Sequence, residues 1–402
     1  MSSPSSRDAV PSPMIGPARL IRAAFEGTDM AMWAGDILSR AGDGALEAGT
    51  ALDLATILLL MHRSDPALQL QSEVLGSYRH FQLRSNSPEA TTRVLVIVTA
   101  GDLMANTPVD FLLDDSSIRV EYLFVLPGDT IPDHLPDHDV CIIGVAYSTA
   151  NEPVLEALAS AAPGWRRPVV NQPGNVLRTS RHGLAEALSG AEGVVVPSVM
   201  RVTKAAIATA AHRLPDGWTY PILIRPIDTH AGNALQKIER RGDLPDYLAR
   251  FDAETYYVTQ FCDYSGPDGL FRKLRIVLVD GTPFLCHMAI RDHWMIHYLN
   301  AAMNEDPAKR NAEAEAMATF HDLFVPRHRT AFAEIHRRTG LDYLILDCAE
   351  DQDGRLLIFE ADTGMVIHDM DPVDLYPYKR PQMRRVFAAF QDAIRTRAKY
   401  AA

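Results

Sequence analysis

Three carboxylates near the end of the chain have the residue types and spacing for metal or phosphate chemistry. Asp347 lies in the apolar run Asp342-Tyr-Leu-Ile-Leu-Asp347-Cys-Ala, and Glu360 and Asp362 close the run Leu356-Leu-Ile-Phe-Glu360-Ala-Asp362. The acidic turn Glu350-Asp-Gln-Asp-Gly354-Arg separates the two runs, a hairpin pattern. Side chains two apart on a strand leave the same face, so Glu360 and Asp362 stand together and the hairpin can bring Asp347 to them. Like charges that close need a cation or a proton. Hard oxygen ligands suit Mg²⁺ or Mn²⁺, and Mg²⁺ usually arrives with substrate phosphates. A surface hairpin with solvated acids is the bland alternative.

Cationic and polar residues precede the hairpin in a definite order. Tyr220-Pro-Ile-Leu-Ile-Arg225 reads as a strand carrying a cation, followed by a loop with His230 and Gly232. Gln260, Phe261 and Asp263 follow a second strand pattern, and Arg272-Lys273-Leu-Arg275 opens a third. Arg272 and Arg275 point to opposite faces of a regular strand, so this cluster cannot all meet one ligand. Arg291, His293 and His297 lie in a stretch dense in polar aromatic residues. Earlier, Asn171 and Arg181 belong to a polar patch just after an apolar strand, where α/β sheets bind ligands. Capping or turn formation is the competing explanation for such residues.

The elements that must position these side chains divide the chain. Residues 1–17, rich in Ser and Pro, are expected to be a disordered tail. Residues 18–88 read as helical, with a hairpin about the length of one tetratricopeptide unit. A single such unit cannot bury its own face and must dock on the rest of the chain or on a partner. Residues 89–200 alternate apolar strands with helices, which predicts a mainly parallel α/β sheet. Residues 201–402 are strand-rich with later helices, an α+β pattern. Asp280-Gly281 is a strong two-residue hairpin turn.

Composition bounds the partners. The 402 residues are 47% hydrophobic with a formal net charge of −12 and no long basic run. That argues against nucleic acid, whose binding needs a basic face. The most apolar run, from Ala55 to Met61, is too short to span a bilayer, which needs about 20 residues. Four scattered cysteines lack metal or disulfide spacing, and reduced buried thiols in a cytoplasmic protein are expected. Chains of this size often dimerise.

The order of motifs over roughly residues 91–400 resembles the ATP-grasp superfamily. Its most specific part is Phe271-Arg-Lys-Leu-Arg-Ile-Val-Leu-Val-Asp-Gly followed by Asp347 and Phe359-Glu360-Ala-Asp362. Within the superfamily the chain is most similar to bacterial proteins that pair a tetratricopeptide-like segment with an ATP-grasp module, a subgroup from which no substrate carries over. The resemblance implies a pre-ATP-grasp α/β domain, then an ATP-grasp domain. It implies ATP and Mg²⁺ (or Mn²⁺), with Asp347, Glu360 and Asp362 as metal ligands. Arg225, His230 and Lys273 would meet the nucleotide phosphates, and Gln260, Phe261 and Asp263 the adenosine. Arg275 and Arg291 would be catalytic, and Asn171, Arg181, His293 and His297 would contact substrate. Asp362 departs from the asparagine common at that position, and the loop after Arg225 has fewer glycines than is usual.

These features imply an ATP-dependent ligase joining a small-molecule carboxylate to an amine through an acyl phosphate. A phosphotransferase that stops at a phosphorylated product is the enzymatic alternative. A nucleotide-fold scaffold with a protein partner on its helical N-terminal segment is the other.

Overall fold

In the computed structural model, the structure describes residues 10–42, 44–114, 117–209, 214–227, 229, 232–296 and 300–400. Two compact units emerge. One comprises Met1–Leu177, Gly340–Leu344 and Asp362–Ala402, and the other Arg178–Thr339 and Ile345–Ala361. The α/β and α+β fold class expected from the sequence is the one observed.

The first unit is built on a six-stranded sheet. Its order is Ser12–Met14, His80–Leu83, Ile118–Phe124, Thr92–Val98, Val140–Ile143, Val169–Val170. All neighbours run parallel except His80–Leu83 against Ile118–Phe124. Continuous apolar runs made these strands because both faces are covered: Val94 to Val98 are all buried. The helix Lys379–Tyr400 returns to this unit at the end of the chain.

Two expectations for the N-terminal region change. Residues 1–9 of the expected tail lie outside the described residues, and within the rest of it Ser12–Met14 adds a parallel strand beside His80–Leu83. The helical segment therefore ends before His80, and the second of these strands lies at its close. Helices Ala48–Leu60 and Ser64–Leu75 form the expected hairpin. The first of them is buried along most of its length, and Gly49 lies so close to Pro13 that a Cβ would sit 2.1 Å from its carbonyl oxygen. The hairpin thus docks within its own unit.

The second unit carries two sheets. An antiparallel sheet has the order Gln236–Ile238, Ile222–Pro226, Thr255–Gln260, Val199–Thr203. Ile222, Ile224, Ile238, Tyr256 and Val258 pack its inner face against Tyr247 and Leu248 of the helix Leu244–Arg250. A five-stranded sheet has the order Thr282–Arg291, Phe271–Val279, Tyr343–Glu350, Leu356–Asp362, Val194–Val195. The Asp280–Gly281 turn holds both residues at positive φ, 47° and 77°, as a tight twisted hairpin requires. The boundaries between units fall inside Tyr343–Glu350 and Leu356–Asp362. The acidic hairpin is therefore formed as expected, but its last residue, Asp362, belongs to the first unit.

Candidate functional site

The strand Phe271–Val279 sets the centre of the site. Lys273 and Arg275 are two apart and share a face, and the register slips between Arg275 and Ile276, a bulge of the kind found beside functional sites. Beyond it, Ile276 to Val279 are buried core. Both cations reach Asp347 on the neighbouring strand. Arg275 donates from Nε to Oδ1 at 2.8 Å and from Nη2 to Oδ2 at 3.0 Å, while Lys273 Nζ lies 2.7 Å from Oδ2. The Asp347 side chain is 4% exposed. Burial alone would push its carboxyl up, but the Lys273 and Arg275 charges and hydrogen bonds prevail and hold it well below the usual carboxylate range. Arg272 takes the opposite direction and pairs with Asp268 at 2.6 Å, as the alternation of the strand requires.

A second pair lies close by. Arg181, at the start of the helix Arg181–Ala187, reaches Glu360 at 3.0 Å and the Phe359 carbonyl at 3.4 Å. Ser180 caps that helix through the Gly183 N–H, which fixes where Arg181 begins. Glu360 acts electrostatically on Arg275 and on Arg225.

Arg225 stands on the face of the antiparallel sheet opposite Ile222 and Ile224, beside Tyr257 on the next strand. Its guanidinium is buried and donates from Nε to the Thr229 hydroxyl at 2.9 Å, and from Nη2 to the Thr229 carbonyl. Burial pushes it down to about 10, the Arg181 charge adds to this, and Glu360 opposes it. It stays charged at neutral pH. Among the described residues no carboxylate pairs directly with it.

Lys237 is a residue the sequence reading missed. The register puts it opposite Leu223, on the same face as Arg225. Its Nζ lies 4.2 Å from the Phe261 ring centroid and 3.1 Å from Glu239. The signal was thin: a three-residue strand with no strong apolar pattern. Phe261 also meets Trp294 edge-on at 5.8 Å. This aromatic pair with a lysine over one ring has the surfaces to hold a flat heteroaromatic group.

The surroundings of the remaining expected residues are as follows. Gln260 ends its strand half-buried, and Asp263 is exposed with its carboxylate accepting the Ser265 N–H. Arg291 closes its strand opposite Phe271. His293 is exposed, and its Nδ1 accepts the Met295 N–H at 3.1 Å. His230 and His297 lie outside the described residues. Asn171, in the first unit, is committed to structure. Its side chain accepts from the N–H groups of Asp342 and Tyr343 and donates to the Tyr343 carbonyl, each at 2.9 Å. It also adopts a φ of 59°, which asparagine tolerates better than most residues.

The expected metal triad is not gathered. Asp347 is taken by Lys273 and Arg275, and Glu360 by Arg181. Asp362 accepts the N–H groups of Thr363 and Gly364 at 2.6 and 3.0 Å, closing its own turn. Among the described residues no group of three or more His, Cys, Asp or Glu side chains is arranged for a metal ion. The sequence reading placed the acids by strand alternation but did not anticipate that cations would occupy them. As arranged, this donor set does not fit Mg²⁺ or Mn²⁺, because guanidinium and ammonium groups hold the oxygens a metal would need.

What the site offers is positive charge. Among the described residues, Arg181, Lys273 and Arg275 pair with two carboxylates and Arg225 feels the charge of Glu360, an excess of cations suited to a polyanion.

No protein-family model matches the chain, and no curated protein does. Solved structures similar to it include the VanG D-Ala:D-Ser ligase from Enterococcus faecalis, at 11% identity and a TM-score of 0.47, covering 76% of this chain and 99% of that one. The D-alanyl-alanine synthetase A from Vibrio cholerae matches at 12% identity and a TM-score of 0.46, over 77% of this chain and 99% of its own. A RimK domain ATP-grasp protein from Sphaerobacter thermophilus matches at 18% identity and a TM-score of 0.41, over 75% and 98%. Likeness at this level leaves the reaction to be argued from the residues of this chain.

The cysteines agree with the composition. Cys141, Cys286 and Cys348 are buried, Cys262 is half-buried, and none of the four forms a disulfide among the described residues. Among the described residues no helix is long and apolar enough to cross a membrane.

Proposed function

We propose that the second unit is an ATP-grasp module and that the chain is an ATP-dependent ligase joining a carboxylate to an amine. The observation that carries this reading is the cluster of Arg181, Arg225, Lys273 and Arg275, which among the described residues has Asp347 and Glu360 as its carboxylates. Phosphoryl transfer needs positioning and charge neutralisation more than covalent help from the protein. Arg225, pre-set by Thr229, grips a phosphate with its free edge, and a buried guanidinium offers bidentate geometry there. Lys273 and Arg275 meet the transferred phosphoryl group. Lys237, Phe261 and Trp294 line the place of the adenine.

The chemistry follows in two steps. A substrate carboxylate oxygen attacks the γ-phosphorus and ADP leaves, giving an acyl phosphate. The amine nitrogen then attacks the acyl carbon, the C–O bond to phosphate breaks, and the amine loses a proton as the amide forms. The cations hold charge on the phosphoryl oxygens in both steps. ATP and a divalent cation, a small carboxylate and a small amine such as an amino acid or peptide are the ligands of this reading.

The test is product analysis with ATP and paired libraries of acids and amines. ADP and phosphate release that needs both substrates, with an amide of the matching mass, supports the ligase. A phosphorylated product without amide assigns a phosphotransferase instead. Absence of any nucleotide binding rejects both.

A further inference from the structure

A cavity of about 80 Å³ opens in the first unit between the helix Pro17–Phe25 and one face of the six-stranded sheet. Arg19 and Ser85 line its exposed mouth, and Leu83, Ile118 and Val120 line its wall. Ile118 begins the strand Ile118–Phe124, so the cavity lies toward the amino ends of the parallel strands. Such sheets usually bind ligands at the other end. Asp110 also lines the cavity and is 6% exposed. Its Oδ2 accepts the Ala18 N–H at 2.7 Å, but its Oδ1 has no hydrogen-bond partner among the described residues. The Tyr122 hydroxyl is orphaned in the same way, and the two groups lie close enough to act on one another electrostatically. Tyr122 stands on the same face of its strand as Ile118 and Val120. Burial pushes the Asp110 carboxyl up to about 6 against the Ala18 bond, so at neutral pH it is mostly ionised. Asp114, on the same lining, has Arg22 at 3.4 Å, and Asp110 has no such cation among the described residues.

We propose that this cavity binds a small amino acid, with its ammonium group on Asp110 Oδ1 and the Tyr122 hydroxyl and its carboxylate at Arg19 in the mouth. A buried, unpaired carboxylate calls for a cation. A primary ammonium is compact and carries three donors, so one group can meet both orphaned oxygens. One carboxylate oxygen and a phenol hydroxyl are too few ligands for a divalent ion. A water would complete the hydrogen bonds but leave the charge uncompensated. Size narrows the ligand further. An apolar cavity of about 150 Å³ takes benzene, so one of about 80 Å³ encloses about three or four non-hydrogen atoms. That is the ammonium, the α-carbon and at most a methyl side chain. The carboxylate then stays at the open end, where an exposed guanidinium suits it. Every residue involved belongs to the first unit, so the site is independent of the ligase reading.

The test is calorimetric titration of the full chain, without nucleotide, using glycine and alanine as probes. Methylammonium and acetate carry one charged group each, and phenylalanine is the oversized control. Glycine or alanine should bind with one-to-one saturation in the millimolar range or tighter, methylammonium and acetate more weakly, and phenylalanine not at this site. Asp110→Asn keeps an acceptor for Ala18 but removes the charge, and should weaken glycine or alanine binding at least about tenfold. Arg19→Ala, at an exposed position, should weaken it severalfold, and it decides the matter should Asp110→Asn fail to fold by circular dichroism. No saturable binding of glycine or alanine would overturn the proposal and leave the cavity to water. Binding that a folded Asp110→Asn or Arg19→Ala leaves unchanged belongs to another site and would overturn it too. Methylammonium binding as tightly as glycine would remove the role of Arg19 and with it the amino acid.

Discussion

Arg275 grips Asp347 through both carboxylate oxygens from the adjacent strand, with Lys273 on the same carboxylate. Removing one partner of a buried, hydrogen-bonded pair leaves the other charge uncompensated. Arg275→Ala should therefore destabilise the second unit by about 3 kcal/mol, somewhat less than a full loss because Lys273 stays. Arg275→Lys keeps the charge but not the fork, and should fall between. Urea unfolding of the three proteins measures the order, and equal midpoints for Ala and wild type would contradict it.

Arg225 is buried yet pairs with no carboxylate among the described residues, and Arg181 repels it. That is a costly way to place a cation unless an anion pays it back. Arg225→Ala should weaken binding of an ATP analogue by about tenfold to a hundredfold, in line with loss of a charge-assisted bidentate contact. The same change should leave unfolding in the absence of nucleotide little altered, or even shift it toward greater stability. Calorimetric titration and thermal unfolding separate the two effects.

In the first unit, two buried carboxylates hold the chain where the strand Ser12–Met14 meets the next helix. Asp53 accepts the N–H groups of Ile15 and Gly16, and Asp110 accepts that of Ala18 at 2.7 Å. Burial pushes both carboxyls up to about 6, against those hydrogen bonds, with Asp114 adding to the rise at Asp110 and Arg84 opposing it at Asp53. A folded value above the unfolded 3.8 means the native state holds extra protons between the two. The stabilisation is full below the unfolded value and is lost as pH rises through about 6. By about pH 7.5 each group has forfeited about 2–3 kcal/mol relative to acid. Asp110→Asn keeps an acceptor for Ala18 and does not titrate. Its stability relative to wild type should climb between about pH 4.5 and about pH 7.5, and a difference that stays flat would rule out this account.

Asn171 ties the strand Val169–Val170 to the start of Tyr343–Glu350 by three side-chain hydrogen bonds. Asn171→Ala should cost about 3 kcal/mol, roughly one for each bond. Asn171→Asp retains acceptance but turns the donor into a second acceptor facing the Tyr343 carbonyl, so it should also destabilise. Denaturant midpoints of the full chain test both.

Much of the scaffold could be read locally. Apolar runs such as Arg93 to Val98 and Val140 to Ile143 become parallel strands because such runs only persist with both faces buried. Asp280-Gly281 becomes a hairpin turn because few other pairs accept positive φ twice in succession. Short, weakly patterned strands were not legible. Ser12–Met14 fell within the expected tail, and no strand was expected over Gln236–Ile238, which carries Lys237. Each owes its conformation to a partner strand distant in sequence.

The sequence by itself determined which charged residues lie on strands and on which side of each strand they stand. That information is periodic and local, so it put Lys273 and Arg275 on one face and Arg272 on the other. Only the tertiary structure decided what each charge meets. Strand order brings Phe271–Val279 beside Tyr343–Glu350, and so Asp347 receives two cations where spacing alone suggested a metal. Spacing along a chain says how carboxylates line up, but their partner is chosen by the cations that folding brings within a few ångströms, where Coulomb energy is largest.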